Sequence, residues 1–198
     1  MKIGIVLGGL ALACVALIAA TPGPGPVQDA AEAEAARMQA ATPGEKHAGL
    51  AKLVGNWTLE MKMPTGPGMP DAMIHGTSEI EAVLGGRYII EEVESEFMGQ
   101  PFRGISLTGY DNVTGTFENV WLDNQATAMA FLKGTGEADG TIIWRGTRND
   151  PAAGVITVRG VHTMTDEGLT YENFETRDGE EAMTFVIHYT RKGLPTGR

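Results

Sequence analysis

Hydrophobic and polar residues alternate along most of the chain between residues 54 and 191. The alternation falls into ten runs, which recur about every ten to twelve residues and are separated by turn-forming stretches such as DNVTG and GEADG. A period of two is typical of strands with one buried face, and such stretches join antiparallel neighbours. We interpret these runs as strands: 54–63, 73–84, 87–97, 102–110, 116–123, 126–134, 140–148, 154–165, 168–177 and 181–191.

These runs predict an all-β domain. None of the connections needs a crossover helix, so each strand is expected to pair with the next. Evenly spaced short strands of this kind form an antiparallel meander β-barrel, which here would have about 8–10 strands. The segment HAGLAKL, just before the first run, predicts a short N-terminal helix.

Two residues at opposite ends of the strand series predict how the barrel closes. Trp57 lies on the apolar face at the start of the first run, and Arg191 lies on the apolar face at the end of the last run. Closing a sheet pairs its first strand with its last. We therefore expect the Arg191 guanidinium to lie over the Trp57 indole, in a cation–π contact.

Six segments in order carry a resemblance to a known family: His47 with LAKLVGNW (50–57), then LGGRY (84–88), MGQPF (98–102), GYDN (109–112), WLDN (121–124) and YTRK (189–192). Together they resemble the bacterial family catalogued as domain of unknown function 1579, over roughly residues 45 to 192. LVGNW by itself resembles the Gly-x-Trp start of lipocalin-like barrels. The resemblance implies a calycin-like barrel and no established activity or catalytic residue.

The chain outside the barrel divides into short zones. Residues 1–20 contain Lys2 and then an uncharged run that ends in small residues, which is the layout of a signal peptide. Residues 21–44, rich in Pro, Ala and Gly, predict a flexible tether, residues 45–192 the barrel, and residues 193–198 a disordered tail. We therefore expect a periplasmic or secreted protein. The alternative is that the uncharged stretch within residues 1–20 is not cleaved and serves as an N-terminal membrane anchor.

Cysteine and charge exclude several classes of function. Cys14 is the only cysteine and lies inside the predicted signal peptide. Lipidation of Cys14 is the less favoured alternative, because apolar residues continue beyond it. Cleavage near Ala20 would leave no thiol for disulfides, catalysis or metal binding. The formal net charge of −10, without any basic stripe, disfavours nucleic acids and anionic membranes as partners.

The four histidines predict no metal site and no cofactor, since none of them forms a spacing such as H-x-H or H-E-x-x-H. His162 shares a face with Ile156, Val158 and Met164, so we expect it to point into the barrel. The favoured interpretation is a core histidine with a local hydrogen-bond partner. The alternative is a ligand to haem iron, as in nitrobindin-like barrels.

Two acidic residues are candidates for chemistry inside the barrel. Glu91 alternates in phase with Ile89 and Val93, and Asp123 alternates in phase with Trp121. A carboxyl buried in this way has a raised pKa and suits general acid–base catalysis. The favoured alternative is a structural ion pair with one of three arginines, namely Arg87, Arg103 or Arg145.

The remaining signal is a set of methionines and aromatic residues on the predicted inner faces. Flexible methionines and aromatic rings can line an apolar pocket, although they can equally fill a solid core. We expect an exported protein that binds a small apolar or amphipathic molecule. The alternatives are an enzyme that uses Glu91 or Asp123 and an interaction module without a ligand. The candidate ligand-binding residues are Met61, Met63, Phe131, Trp144, His162 and Phe185.

Overall fold

The structure is a computed structural model that describes residues 26–66, 68–165 and 168–193. The predicted signal peptide, residues 1–20, lies outside the described residues. So does the predicted tail beyond Gly193.

Two helices precede ten strands. The helices are α1 (Pro26–Ala41) and α2 (Glu45–Ala51). The strands are β1 (Gly55–Met63), β2 (Ala72–Val83), β3 (Tyr88–Phe97), β4 (Gln100–Asp111), β5 (Thr116–Asp123), β6 (Ala130–Gly136), β7 (Ile142–Asp150), β8 (Gly154–Thr165), β9 (Gly168–Arg177) and β10 (Glu180–Arg191).

The strands form one closed antiparallel barrel. Each strand pairs with the next in the sequence, and β10 pairs with β1, which confirms the predicted all-β meander barrel. Because neighbouring strands run in opposite directions, the connections alternate between the two ends. We call the end at which β1 begins the helix end, since α2 precedes it there, and the opposite end the loop end.

The first helix lies within the segment predicted to be a tether. Its sequence is rich in Ala, Glu and Gln, residues with high helix propensity. Residues 29–39 are all exposed, so this part of the helix buries no apolar face. The part of α1 up to Met38 belongs to a unit separate from Gln39–Arg198, which contains the barrel. The flexibility of residues 21–44 stays a prediction.

The helix end is closed by contacts between the first strand, the last strand and the segment after α2. Arg191 lies opposite Trp57, with its guanidinium carbon 4.2 Å from the centroid of the indole. The same guanidinium donates hydrogen bonds to the carbonyls of Val54 and Lys52, both at 2.7 Å. The Trp57 indole N–H donates to the carbonyl of Leu53 at 2.9 Å. The Arg191 side chain therefore connects β10 with β1 and with the segment after α2.

This contact explains the glycine in LVGNW. Gly55 has a φ of +140°, a conformation that residues with a side chain rarely adopt. A Cβ atom at this position would lie 2.5 Å from Nη1 of Arg191. Glycine is needed because the guanidinium occupies the space beside the backbone.

Candidate functional site

The barrel encloses a cavity of about 640 Å³. Its walls are mostly apolar, with aliphatic and aromatic side chains from strands on all sides, while Leu50 and Leu53 form its floor at the helix end. Binding pockets for drug-sized molecules have volumes of about 300 to 1,000 Å³. The cavity is therefore large enough for a small molecule. Representative wall residues are Leu59, Ile80, Ile89, Val93, Val158 and Ile187.

The interior stays hollow because large rings lie against glycines on neighbouring strands. The ring of Trp121 covers Gly104, and the ring of Trp144 covers Gly134, where a Cβ atom would be 2.9 Å from the indole. Tyr171 covers Gly160 in the same way, with its ring 2.6 Å from the position of a Cβ atom. Each ring can thus lie along the wall instead of crossing the barrel.

Glu91 is the centre of one polar cluster in the largely apolar wall. One carboxylate oxygen accepts a hydrogen bond from the Ser78 hydroxyl at 2.8 Å, and the other accepts one from the Ser106 hydroxyl at 3.3 Å. The Tyr189 hydroxyl also bonds to this carboxylate. The three hydroxyls come from β2 and β4, which flank β3, and from β10, which lies three strands away around the barrel. Burial raises the pKa of Glu91, although the hydrogen bonds oppose this rise.

Replacing Glu91 by glutamine is expected to stabilise the protein near neutral pH. A raised pKa in the folded state gives stability that is present below the ordinary carboxyl pKa and lost as the pH rises through the raised value. Glutamine keeps the shape without a charge, so its advantage should grow with pH and vanish near pH ~4. Urea unfolding at about pH 4, 6 and 7.5 measures this dependence. Glu92→Gln, next along β3 but exposed, is the matched control, and an equal gain from it would contradict the explanation.

His162 forms the second polar group of the cavity wall. Its Nδ1 atom lies 2.8 Å from Nε1 of Trp144. An indole N–H can only donate a hydrogen bond, so Nδ1 of His162 must accept it and the proton of the neutral ring lies on Nε2. Burial lowers the pKa of His162 to about 4, which keeps the ring neutral at pH ~7.

This tautomer does not suit metal or haem ligation. A histidine that binds iron through Nε2 needs a free electron pair there, and its Nδ1–H usually donates to an acceptor. In this barrel Nδ1 faces a donor, and Nε2 carries the hydrogen. The residues around His162 therefore do not fit a haem. In the described part of the chain, no three His, Asp or Glu side chains converge to hold a metal ion.

An ion-pair network lies at the loop end. The Arg148 guanidinium is 2.7 Å from the carboxylate of Glu175, and Arg177 bridges Glu175 and Asp150 at 2.9 and 2.8 Å. Asp123 lies at the same end, where its carboxylate accepts hydrogen bonds from the Trp121 indole at 2.8 Å and from a backbone N–H. The charges of the network are paired, and Asp123 fixes a turn.

The barrel and its pattern of residues correspond to a known family. The sequence profile of the family described as Protein of unknown function (DUF1579) matches residues 42–191. The chain belongs to this family. The matched region contains α2 and all ten strands, which confirms the resemblance inferred from the sequence. No curated protein matches the chain. Neither helix within the described ranges has the length and apolar character to span a membrane.

Most of the candidate residues of this DUF1579 protein lie on the cavity wall. Met61, Met63, Trp144, His162 and Phe185 all line it. Their role in binding a ligand stays a prediction.

The expected inward orientation of Phe131 is wrong. Its side chain is 60 % exposed on the outer face of β6, whereas its neighbours Ala130 and Leu132 line the cavity. The strand begins at Ala130 rather than at residue 126, because Asn124 bonds to the backbone of Pro101 and Arg103 and extends the preceding turn. Apolar residues occupy both faces of this strand, so alternation alone could not assign them.

The methionines divide between the cavity and the surface. Met61, Met63 and Met164 line the cavity, but Met98 is 87 % exposed in a turn at the loop end. Met183 is also exposed, because a β-bulge shifts the register of β10 between residues 183 and 185. The bulge adds one residue, so the residues before it change faces.

None of the arginines proposed to pair with Glu91 or Asp123 does so within the described residues. Arg87 donates to the carbonyls of Leu84 and Ala41, and Arg103 pairs with Glu94. Arg145 is exposed on the outer face of β7. The partners of Glu91 are hydroxyl groups instead. The inward orientation of Ser78 could have been found from the sequence, since it alternates in phase with Ile74 and Ile80. That of Ser106 could not, because Ile105 and Leu107 place apolar residues on the other face of β4.

Proposed function

We propose that this protein binds one small, largely apolar molecule inside its barrel. The observation that carries the proposal is the cavity of about 640 Å³ with its apolar walls. If the protein were instead an interaction module without a ligand, we would expect side chains to fill the interior of the barrel. The glycines beneath Trp121, Trp144 and Tyr171 act against filling, because they let these rings lie along the wall.

The polar side chains on the cavity wall favour a ligand that also has a polar end. Glu91 and the Nε2–H of His162 are two of the polar groups in the wall that such an end could contact. Binding is favoured over catalysis, because Asp123, the other candidate carboxylate, is engaged by Trp121 and Gln125 in a local turn. Export belongs to the same proposal and is supported by Lys2 and the uncharged run that follows it.

Filling the cavity is expected to abolish binding. The probe is N-phenyl-1-naphthylamine, an apolar fluorophore that is uncharged at neutral pH and gains fluorescence in apolar surroundings. The wild-type protein, delipidated under denaturing conditions and refolded, should bind about one molecule per chain. Leu132→Trp, which places an indole in the cavity, should weaken this binding at least about tenfold, or 1.4 kcal/mol.

The neighbouring residue provides a matched control. Phe131→Trp adds a similar side chain one position away, on the outer face of β6, and should bind the probe like the wild type. Both variants should keep a cooperative thermal transition. Equal binding by the wild type and Leu132→Trp would place the probe outside the barrel and overturn the proposal, as would failure of the delipidated wild type to bind.

A further inference from the structure

Acidic side chains outnumber basic ones on the cavity wall. Five side chains of its wall carry or can carry a charge: Glu91, Asp123, Arg148, His162 and Glu175. Arg148 provides the only permanent positive charge among them, and Glu175 neutralises it at 2.7 Å. His162 is neutral, since its Nδ1 accepts the hydrogen bond from Trp144. The carboxyl groups of Glu91 and Asp123 remain without a positive partner in the described part of the chain.

Glu91 is the group best placed to receive a cation. Asp123 already accepts two N–H hydrogen bonds at the loop end. Glu91 lies deeper in the barrel, where its partners are the neutral hydroxyls of Ser78, Ser106 and Tyr189. A carboxylate enclosed in this way is costly unless it takes up a proton or a positive charge lies beside it. Since no Lys or Arg of the described chain contacts Glu91, a positive charge beside it would have to come from the ligand.

The aromatic residues near Glu91 favour a cation as well. Tyr189 bonds to Glu91, and Tyr171 lies close enough for the two to interact electrostatically. Tyr171 also packs against Phe185, with their ring centroids 5.9 Å apart. Aromatic faces attract ammonium groups. A carboxylate with two tyrosines near it is a suitable environment for an amine.

We infer that the cavity selects cationic amphiphiles, whose ammonium group pairs with Glu91 while their apolar part lies along the apolar wall. This inference rests on the proposed ligand-binding function. It also implies that anionic amphiphiles such as fatty acids are disfavoured, because their carboxylate would meet Glu91 without a positive partner.

Three compounds with the same decyl chain test the inference: decylamine, decanol and decanoate. Isothermal titration at about pH 7.5 and below their micellar concentrations gives each affinity. Hydrogen bonds between charged groups are stronger than those of a neutral hydroxyl, so decylamine should bind at least about tenfold more tightly than decanol. Decanoate should bind most weakly.

Two variants assign the preference to Glu91. Glu91→Gln should lower the ratio of decylamine affinity to decanol affinity at least about tenfold. A cooperative thermal transition demonstrates that the variant is folded. Glu92→Gln removes a negative charge from the outer face of the same strand and should leave all three affinities unchanged.

The outcomes separate the inference from the proposal on which it rests. If decylamine and decanol bind equally, or if Glu91→Gln leaves the ratio of their affinities unchanged, the inference is wrong and the ligand-binding function stands. Tighter binding of decanoate than of decylamine would also overturn the inference alone. If none of the three compounds binds and the fluorescent probe does not bind either, the proposed function fails and the inference fails with it.

Discussion

Replacing Trp57 by alanine is expected to lower the free energy of unfolding by about 3 to 5 kcal/mol. The indole is 3 % exposed, donates a hydrogen bond to Leu53 and lies beneath the Arg191 guanidinium. Its loss would open a void at the closed end of the barrel and leave the Leu53 carbonyl without its partner. Urea unfolding followed by circular dichroism measures the change.

A double-mutant cycle with Arg191→Ala tests whether the closure acts as a unit. Arg191 makes two hydrogen bonds to carbonyls as well as the contact with Trp57. The coupling between the two substitutions should be about 0.5 to 2 kcal/mol, the range for cation–π contacts. Phe131→Ala, which removes an exposed ring, is the control for Trp57→Ala and should cost less than about 1 kcal/mol. Additive effects of the Trp57 and Arg191 substitutions would mean that the contact adds no stability.

Acidification is expected to destabilise the protein through His162, by an amount that approaches about 3 kcal/mol near pH ~4. The pKa of this imidazole is lowered from 6.5 to about 4 by burial. The unfolded chain therefore takes up a proton at a higher pH than the folded protein does. The contribution to stability is fully present above pH ~6.5 and is lost as the pH falls towards 4, at about 1.4 kcal/mol for each pH unit.

The matched measurement compares His162→Gln with the wild type across this range. Glutamine retains an oxygen that can accept the Trp144 hydrogen bond but does not titrate. The difference in unfolding free energy between about pH 7 and pH 4 should therefore be smaller in the variant by up to about 3 kcal/mol. His188→Gln, which alters an exposed imidazole on β10, is the control. If His162→Gln loses as much stability on acidification as the wild type does, His162 is not protected from protonation in the folded protein.

Glu91 and His162, two titratable groups of the cavity wall, act in opposite directions. Glu91 has a raised pKa and favours the folded state at low pH, whereas His162 has a lowered pKa and favours it at high pH. The wild-type pH profile is the sum of these and of the surface ion pairs. Only the single variants separate the contributions.

Much of the candidate site could be predicted from single strands. Glu91 and His162 each alternate in phase with apolar neighbours, so their inward orientation follows from a period of two. Their partners could not be predicted in this way. The hydroxyls around Glu91 come from β2, β4 and β10, and contacts between strands depend on register, which alternation within one strand does not give.

Phe131 and Met183 illustrate the limits of the pattern. Phe131 lies in a strand with apolar residues on both faces, and the turn before it is held by hydrogen bonds between Asn124 and the backbone of Pro101 and Arg103 in β4. Met183 precedes a bulge that reverses the alternation in β10. A bulge and the length of a turn are fixed by pairing with a neighbouring strand, so the local sequence does not determine them.

The sequence by itself determined the all-β class, the number and order of the strands, and the pairing of Trp57 with Arg191 that closes the barrel. These follow from alternation, from turn residues and from the requirement that a closed sheet pairs its first strand with its last. Only the tertiary structure decided that the interior is hollow. The same methionines and aromatic residues could have filled it, but three rings lie over glycines of other strands and leave about 640 Å³ open. Whether side chains fill a barrel depends on how neighbouring strands align large residues with small ones, and that alignment exists only once the strands have paired.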